Sequence, residues 1–153
     1  MNEIVADIML WFSFRNTGAQ IMLMRNKDVS DSRWWILQMP VLNSDPHRFL
    51  FDLCKAAADF TGMHVTVHDI EKVPTFMCSR DAQSLPTPVW ALQIDYEASQ
   101  VVNAKLASQG YEIIAPHATS ISWDKAGEYL DDLKTCAHEL MSYYQEHGVY
   151  GHA

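Results

Sequence analysis

Four charged residues recur at spacings of four, three and four in the chain: Arg48, Asp52, Lys55 and Asp59. At 3.6 residues per turn, this spacing places them on one face of a helix. Carboxylates on a helix face can bind a hard cation such as Mg²⁺, which takes oxygen ligands. Alternating charges are also typical of a solvated face, where each pair contributes about 0.2–0.5 kcal/mol. The charge spacing by itself favours the solvated face.

The element that must position these charges is a predicted helix from Pro46 to Thr61. Asp45 or Ser44 can accept the free N–H groups at its start, and Pro46 suits the first helical position. Gly62 can adopt the left-handed conformation that ends a helix. Apolar residues at three- and four-residue intervals predict one buried face: Phe49, Leu50, Leu53, Cys54, Ala57 and Phe60.

Residues 34–63 follow the order strand, loop, helix and glycine. The strand around Trp35 stops at Pro40, and the glycine is Gly62. In this order the segment resembles a Nudix hydrolase core, whose tryptophan strand leads into Pro-Gly-Gly; both glycines of that motif are missing here. Trp123, between a predicted strand and a predicted helix from about Asp124 to His147, resembles the closing segment of the same family.

The catalytic box of that family is degenerate in this chain. The box is a glycine, five residues, a glutamate, seven residues, Arg-Glu, an aliphatic residue, any residue, Glu-Glu, any residue, glycine and an aliphatic residue. Anchored on Gly62 and Met63, it retains one of its metal-binding carboxylates. The positions are Val41 at the first glycine, His47 at the upstream glutamate, Lys55 at the arginine, and Ala56, Asp59 and Phe60 at the three metal-binding glutamates.

The resemblance implies a fold and a chemistry. The fold is an α/β/α sandwich in which a mixed, mainly antiparallel sheet lies between the helix 46–61 and the C-terminal helix, as one domain over residues 1–153. The cofactor would be Mg²⁺ or Mn²⁺, which activates water and neutralises a diphosphate in such enzymes. Asp59 is the candidate metal ligand, and Lys55 and Asp59 are the residual catalytic positions. Because the other carboxylates are lost, we expect hydrolysis to be absent or severely weakened, and the chain to need no metal if it only binds.

The resemblance also implies candidate ligand contacts. In the family the strand before the box approaches the substrate, which makes Arg25, Lys27 and Arg33 candidates for phosphate or carboxylate contacts, and His47 occupies a box position. Solvated basic side chains are the alternative for these residues. Trp34 and Trp35 are adjacent on a predicted strand and therefore face opposite sides, so one belongs to the core. Trp35 is the candidate for stacking on a base, with core packing as the alternative.

Three functions stay open. The first is a Nudix-derived protein that binds a nucleotide-like, diphosphate-containing ligand without efficient hydrolysis. The second is an active MutT-like pyrophosphohydrolase, similar to the small nucleoside triphosphate or dihydroneopterin triphosphate enzymes, that recruits Glu71, Glu97 or Glu112 as metal ligands beside Asp59. The third is a scaffold for protein–protein contact, as a homodimer.

Composition excludes some partners. The 153 residues are enough for one domain with a core, and 48% are hydrophobic. A formal net charge of −8 argues against general nucleic-acid or anionic-membrane surfaces, which need Lys and Arg. The three cysteines contain no CxxC pair, and Cys54 and Cys136 are expected as buried thiols in a reducing compartment. With no basic leader at the N-terminus, we expect a cytoplasmic protein.

The remaining pattern predicts a hairpin and several strands. Residues 4–14 and 19–25 flank a turn and are expected to pair. Residues 64–70 alternate and are predicted as a strand, which would hold His64 and His68 roughly 13 Å apart and exclude a shared zinc ion. Residues 97–109 are ambiguous between a short helix and an irregular insertion. Further strands are expected at 73–77, 89–96, 111–115 and 119–123.

Overall fold

The computed structural model describes residues 3–13, 19–28, 34–42, 47–71, 76–78, 87–115 and 142. The predicted strand 119–123, the C-terminal helix 124–147 apart from residue 142, and Arg33 therefore lie outside the described residues. The described elements, in chain order, are β1 Glu3–Ser13, β2 Ala19–Ile21, β3 Leu23–Asn26, β4 Leu37–Leu42, α1 Phe49–Thr61, α2 Val67–Glu71, β5 Phe76–Cys78, β6 Thr87–Gln93, α3 Tyr96–Ser108 and β7 Tyr111–Ile114.

Strand β1 is the centre of the main sheet. Antiparallel β4 pairs with its first half and antiparallel β2 with its last residues, both on the same edge. On the opposite edge β6 runs parallel to β1, and β5 extends the sheet antiparallel to β6. The mixed, mainly antiparallel sheet and the β1–β2 hairpin predicted from the sequence are confirmed.

The returning strand of the hairpin is shorter than predicted. It was expected to run over residues 19–25, but it breaks at Met22, and β3 joins β7 in a separate two-stranded sheet. Met22 still donates its backbone N–H to the carbonyl of Leu10 at 2.9 Å. Two residues later, Met24 exchanges backbone hydrogen bonds with Trp35 at 2.7 and 2.9 Å. The chain therefore stops pairing with β1 after Met22, because the backbone groups of residues 23–26 form their hydrogen bonds with β7 and with Trp35.

Both faces of β1 are buried. Ile8 and Leu10 pack in a core with α1 and α3, while Met9 and Trp11 on the other face are also fully buried. A strand buried on both faces has a continuous apolar sequence, because neither set of alternating side chains meets water. This is the physical reason that the N-terminal run lacks an alternating pattern.

Helix α1 begins later than predicted and ends where predicted. Its N-cap is Arg48, which makes no side-chain capping hydrogen bond, so Pro46 does not occupy the first helical position. Asp45 and Ser44, the expected caps, lie outside the described residues. At the other end Gly62 has φ = 76° and donates its N–H to the carbonyl of Ala58, as the left-handed helix end requires.

The prediction of a strand at 64–70 is wrong, because residues 64–66 form no strand and residues 67–71 form helix α2. Thr66 and Asp69 cap its start reciprocally: the Thr66 N–H donates to the Asp69 carboxylate at 2.9 Å, and the Asp69 N–H donates to the Thr66 hydroxyl at 3.3 Å. This Thr-x-x-Asp pattern is a capping box, and it outweighs the β-branched alternation. The four hydrogen-bonded groups explain why the helix forms in so short a segment.

The ambiguous segment 97–109 is a regular helix, α3. The carboxylate of Asp95 accepts the N–H of Ala98 at 2.7 Å and caps its start. Ala98, Val102 and Leu106 face the core that α1 also contacts. Within the described part of the chain, no helix combines the length and the apolar character that a membrane crossing needs.

Candidate functional site

Helix α1 carries the positions that the Nudix resemblance assigns to the end of the box, and their side chains are either exposed or half-buried. Lys55 and Asp59 are exposed, whereas Ala56 and Phe60 are half-buried and pack against the core. Leu53, Cys54 and Ala57 form the buried stripe between α1 and the sheet. The predicted inward face of α1 is confirmed. Of the three positions that correspond by resemblance to metal-binding glutamates, Asp59 alone carries a carboxylate.

The end of α1 is held by a residue that the sequence analysis missed. The ammonium of Lys105, on α3, donates to the backbone carbonyls of Asp59 and Phe60, both at 2.8 Å. It also lies 5.4 Å from the centre of the Phe60 ring. The last turn of α1 has no basic residue of its own, so Lys105 supplies the cation that the negative end of a helix dipole favours. A positive charge thus sits at the backbone of the residual metal position.

Replacing Lys105 by methionine is expected to lower the free energy of unfolding by about 1 kcal/mol, because the last carbonyls of α1 lose a charged donor. Urea denaturation measures the change. Lys27→Met removes an exposed lysine in a turn and should change stability by less than about 0.5 kcal/mol. Raising the salt concentration to about 1 M should shrink the difference between Lys105→Met and wild type. Equal effects of the two variants would contradict the capping role.

Arg25, a predicted phosphate contact, is engaged in a structural cluster. Its guanidinium donates to the carboxylate of Glu112 at 2.7 Å, across the β3–β7 pair in which the two residues are directly opposite. The same guanidinium lies 4.5 Å from the centre of the Trp34 ring. An anionic ligand at Arg25 would have to compete with a carboxylate that is already bound.

Trp34 and Trp35 differ in burial, as the alternation of side chains along a strand predicts. Trp34 is 3% exposed and belongs to the core, whereas Trp35 is half-buried. The indole N–H of Trp35 donates to the carboxylate of Asp7 at 3.1 Å, and the side-chain amide of Gln38 donates to the same oxygen at 3.3 Å. Trp35 is therefore anchored to the sheet, and only its exposed fraction is accessible to a ligand.

Asp7 is the second residue whose structural role the sequence analysis missed. It is 1% exposed in the middle of β1. A buried carboxylate requires hydrogen-bond donors, because its desolvation is otherwise costly. The isolated acidic residue inside an apolar strand was the available signal, but the donors are Gln38 of β4 and Trp35, which lies two residues before β4.

The predicted site residues fall into two groups. His47, Lys55 and Asp59 lie along α1 or immediately before it, all exposed. Arg25 and Trp35 lie on backbone segments joined by the Met24–Trp35 bridge. Arg33 lies outside the described residues.

No three His, Cys, Asp or Glu side chains converge as a metal site within the residues that the structure describes. Glu112 is paired with Arg25, and Glu71 and Glu97 are exposed. The strand-based separation of His64 and His68 does not apply, since His68 lies in α2 and His64 precedes it. The oxygen donors at the α1 positions are too few to hold Mg²⁺ or Mn²⁺, which need several oxygen ligands.

Cys54 is a buried free thiol, as expected. Burial raises the pKa of this thiol, and the nearby carboxylates of Asp69 and Glu71 raise it further. A raised pKa keeps the group in its unreactive protonated form, since the thiolate is the nucleophile. The stability that the neutral thiol contributes is present below the pKa of an unfolded cysteine and is lost as pH rises through the folded value. Cys54 is therefore a packing residue.

The arrangement is similar to known structures. A mutT/nudix family protein from Listeria innocua superposes with a TM-score of 0.58 at 12% sequence identity, with 95% of each chain covered. The fold is Nudix-like. The C-terminal domain of mouse MUTYH, solved in complex with human PCNA, has a TM-score of 0.46 at 11% identity, over 97% of this chain and 90% of that chain. T. brucei MERS1 in its apo form has a TM-score of 0.41 at 10% identity, over 62% of this chain and 39% of that chain.

No protein-family model matches the chain, and no curated protein matches it. The Nudix-like fold thus rests on the likeness in three-dimensional structure. At this level of identity the likeness concerns the fold.

Proposed function

We propose that this Nudix-fold protein binds a nucleotide-like, diphosphate-containing ligand and has lost, or retains only weakly, metal-dependent pyrophosphate hydrolysis. The observation that carries the proposal is the set of side chains that α1 presents at the positions assigned to metal binding. Of the three metal-binding box positions, Asp59 alone has a carboxylate, Ala56 has none, and the Phe60 ring packs on the core.

Electrostatics support the loss of metal chemistry. Lys55 adds an ammonium on the exposed side of α1, and Lys105 adds another at the carbonyl of Asp59. Ammonium groups repel a divalent cation, although water and salt weaken this repulsion at an exposed side chain. A divalent cation near Asp59 would meet this repulsion with one carboxylate to offset it. Such a site favours an anion over a metal.

A ligand that needs no metal requires positive groups for its phosphates. His47 and Lys55 are exposed at one side of α1 and can contact a diphosphate directly. The exposed part of Trp35 can stack on a base, because aromatic faces bind bases with little sequence preference. The competing hypothesis of an active enzyme with substitute carboxylates has less support, since Glu112 already pairs with Arg25.

We expect no pyrophosphate or phosphate release above background from a panel of nucleoside triphosphates, diphosphates and nucleotide sugars with Mg²⁺ or Mn²⁺. At least one member of the panel should nevertheless raise the melting temperature, since a ligand at 100 times its Kd stabilises by about 2.7 kcal/mol. Thermal-shift and phosphate-release assays on the same samples measure both quantities.

Asp59→Asn and its matched control Asp28→Asn separate the two possibilities. Both remove one exposed carboxylate, at the residual metal position and in a distant turn respectively. If wild type turns over a substrate and Asp59→Asn alone abolishes it, the metal-dependent mechanism has survived and the proposal is wrong. If no member of the panel shifts the melting temperature, the ligand-binding half of the proposal fails.

A further inference from the structure

A groove of about 580 Å³ lies between the outer face of α1 and the segment that contains α2. Phe51, Cys54 and Ala58 contribute one wall, and Val65 and Val67 contribute the other. The volume falls within the range of small-molecule sites, about 300–1,000 Å³. The groove is therefore large enough for one small ligand with an apolar body.

The groove borders the charged face of α1 that carries Asp59. Phe51, Lys55 and Ala58 recur at spacings of four and three and line the groove, and Asp59 follows Lys55 by about one helical turn. Among the described lining residues, Lys55 is the one that the Nudix resemblance also assigns to the box.

Phe51 is the unexplained apolar residue of this face. It is 61% exposed, although the helix buries a well-formed stripe on its opposite side. A large exposed aromatic side chain at the edge of an apolar depression is typical of a binding surface. The ring can close over a ligand that enters the groove.

The polar rim of the groove holds one cationic side chain, Lys55, and two imidazoles. Lys55, His64 and His68 line the groove, and no acidic side chain does so among its described lining residues, although Asp and Glu outnumber Lys and Arg in the chain by 19 to 11. Two carboxylates, Asp69 and Glu71, lie close enough to act on the Cys54 thiol. The Asp69 carboxylate accepts both the N–H and the hydroxyl of Thr66, so it is directed at the start of α2.

We propose that this groove binds a small amphiphilic anion: an aliphatic or aromatic body of about ten carbon atoms with one carboxylate. The body would contact Phe51, Val65 and Val67, and the carboxylate would lie at Lys55, His64 and His68. The apolar walls select the body, and the Lys55 ammonium together with the imidazole N–H donors selects the head. This site goes beyond the proposed nucleotide-like ligand and does not depend on it.

Decanoate, decan-1-ol and decylammonium are suitable probes, because they share a body and differ in head charge. In ¹⁵N-labelled protein, decanoate should shift the amide resonances of residues 51–58 and 64–68. By titration calorimetry it should bind at least tenfold more tightly than decylammonium, with decan-1-ol between them. Equal affinities for the three probes, or shifts confined to other residues, would overturn the proposal.

Two variants test the walls and the rim. Phe51→Ser should weaken decanoate binding at least tenfold and leave the unfolding midpoint unchanged, since the ring is exposed. The charge variant His64→Glu/His68→Glu should do the same, whereas Asn103→Glu/Gln100→Glu, at exposed positions of α3, should not. Equal loss in both charge variants would show that the rim does not bind the head.

Light scattering tests whether a second copy of the chain, and not a small ligand, occupies the groove. If wild type is a dimer that Phe51→Ser converts to a monomer, and decanoate has no effect, the groove is an interface between copies and the proposal is wrong. Failure of the nucleotide panel would leave the decanoate results unchanged, because Phe51→Ser and His64→Glu/His68→Glu change groove residues that the proposed nucleotide contacts do not include. A nucleotide that binds through Lys55 is expected to compete with decanoate for that side chain.

Discussion

Replacing Leu53 by alanine is expected to lower the free energy of unfolding by about 2–5 kcal/mol, the usual range for a leucine removed from a packed core. Leu53 is 0% exposed and lies on the stripe of α1 that packs against the sheet and α3. The loss combines the transfer free energy of the deleted carbon atoms with the cavity that remains. Urea denaturation monitored by tryptophan fluorescence measures it.

Phe51→Ala is the matched control for this change. It removes a larger apolar side chain from the same helix two residues earlier, but from a position that is 61% exposed. We expect its effect to stay below about 1 kcal/mol, because little buried surface is lost. A similar loss in both variants would mean that α1 is rotated relative to the sheet, and the exposure assigned to Lys55 and Asp59 would then be wrong.

Arg25→Met is expected to lower the free energy of unfolding by about 1–2 kcal/mol. The substitution removes the charge-assisted hydrogen bond to Glu112 and the cation–π contact with Trp34, and it leaves a half-buried carboxylate unpaired. Arg25→Lys keeps the charge but loses the planar group, so about half of the loss should remain. Thermal and urea denaturation of both variants provide the measurement.

A double-mutant cycle with Glu112→Gln distinguishes a structural Arg25 from a ligand-binding one. A coupling free energy of about 1 kcal/mol is expected if the cross-strand pair fixes β3 to β7. If Arg25 instead serves a phosphate, Arg25→Met should reduce nucleotide affinity while stability stays unchanged. That outcome would restore the prediction made from the sequence and contradict the structural role.

Local patterns predicted the elements whose stability is decided by neighbouring residues. The stripe of α1 and its glycine end were readable because helix periodicity and the left-handed end involve residues within one or two turns. The error at 64–70 had the same local origin: the capping box of Thr66 and Asp69 was present in the sequence, but the alternation of β-branched residues was given more weight.

The candidate site was predicted in part. The box positions on α1, including the exposed Lys55 and Asp59, follow from the sequence pattern and the helix register. Arg25 and Trp35 were predicted as ligand contacts, but their hydrogen-bond partners within the protein were not predicted. Glu112 is 87 residues from Arg25, and Asp7 is 28 residues from Trp35. No local pattern identifies such pairs, because they depend on which strands lie side by side.

The sequence by itself determined that α1 is an amphipathic helix with Lys55 and Asp59 on its exposed side, and that the N-terminal strands form a hairpin. Only the tertiary structure decided that Lys105 caps α1, that Arg25 belongs to a cross-strand pair, and that Asp7 is buried beneath Trp35. Helix periodicity is a property of neighbours along the chain. Charge partners are a property of neighbours in space, and they form only when packing has brought distant elements together.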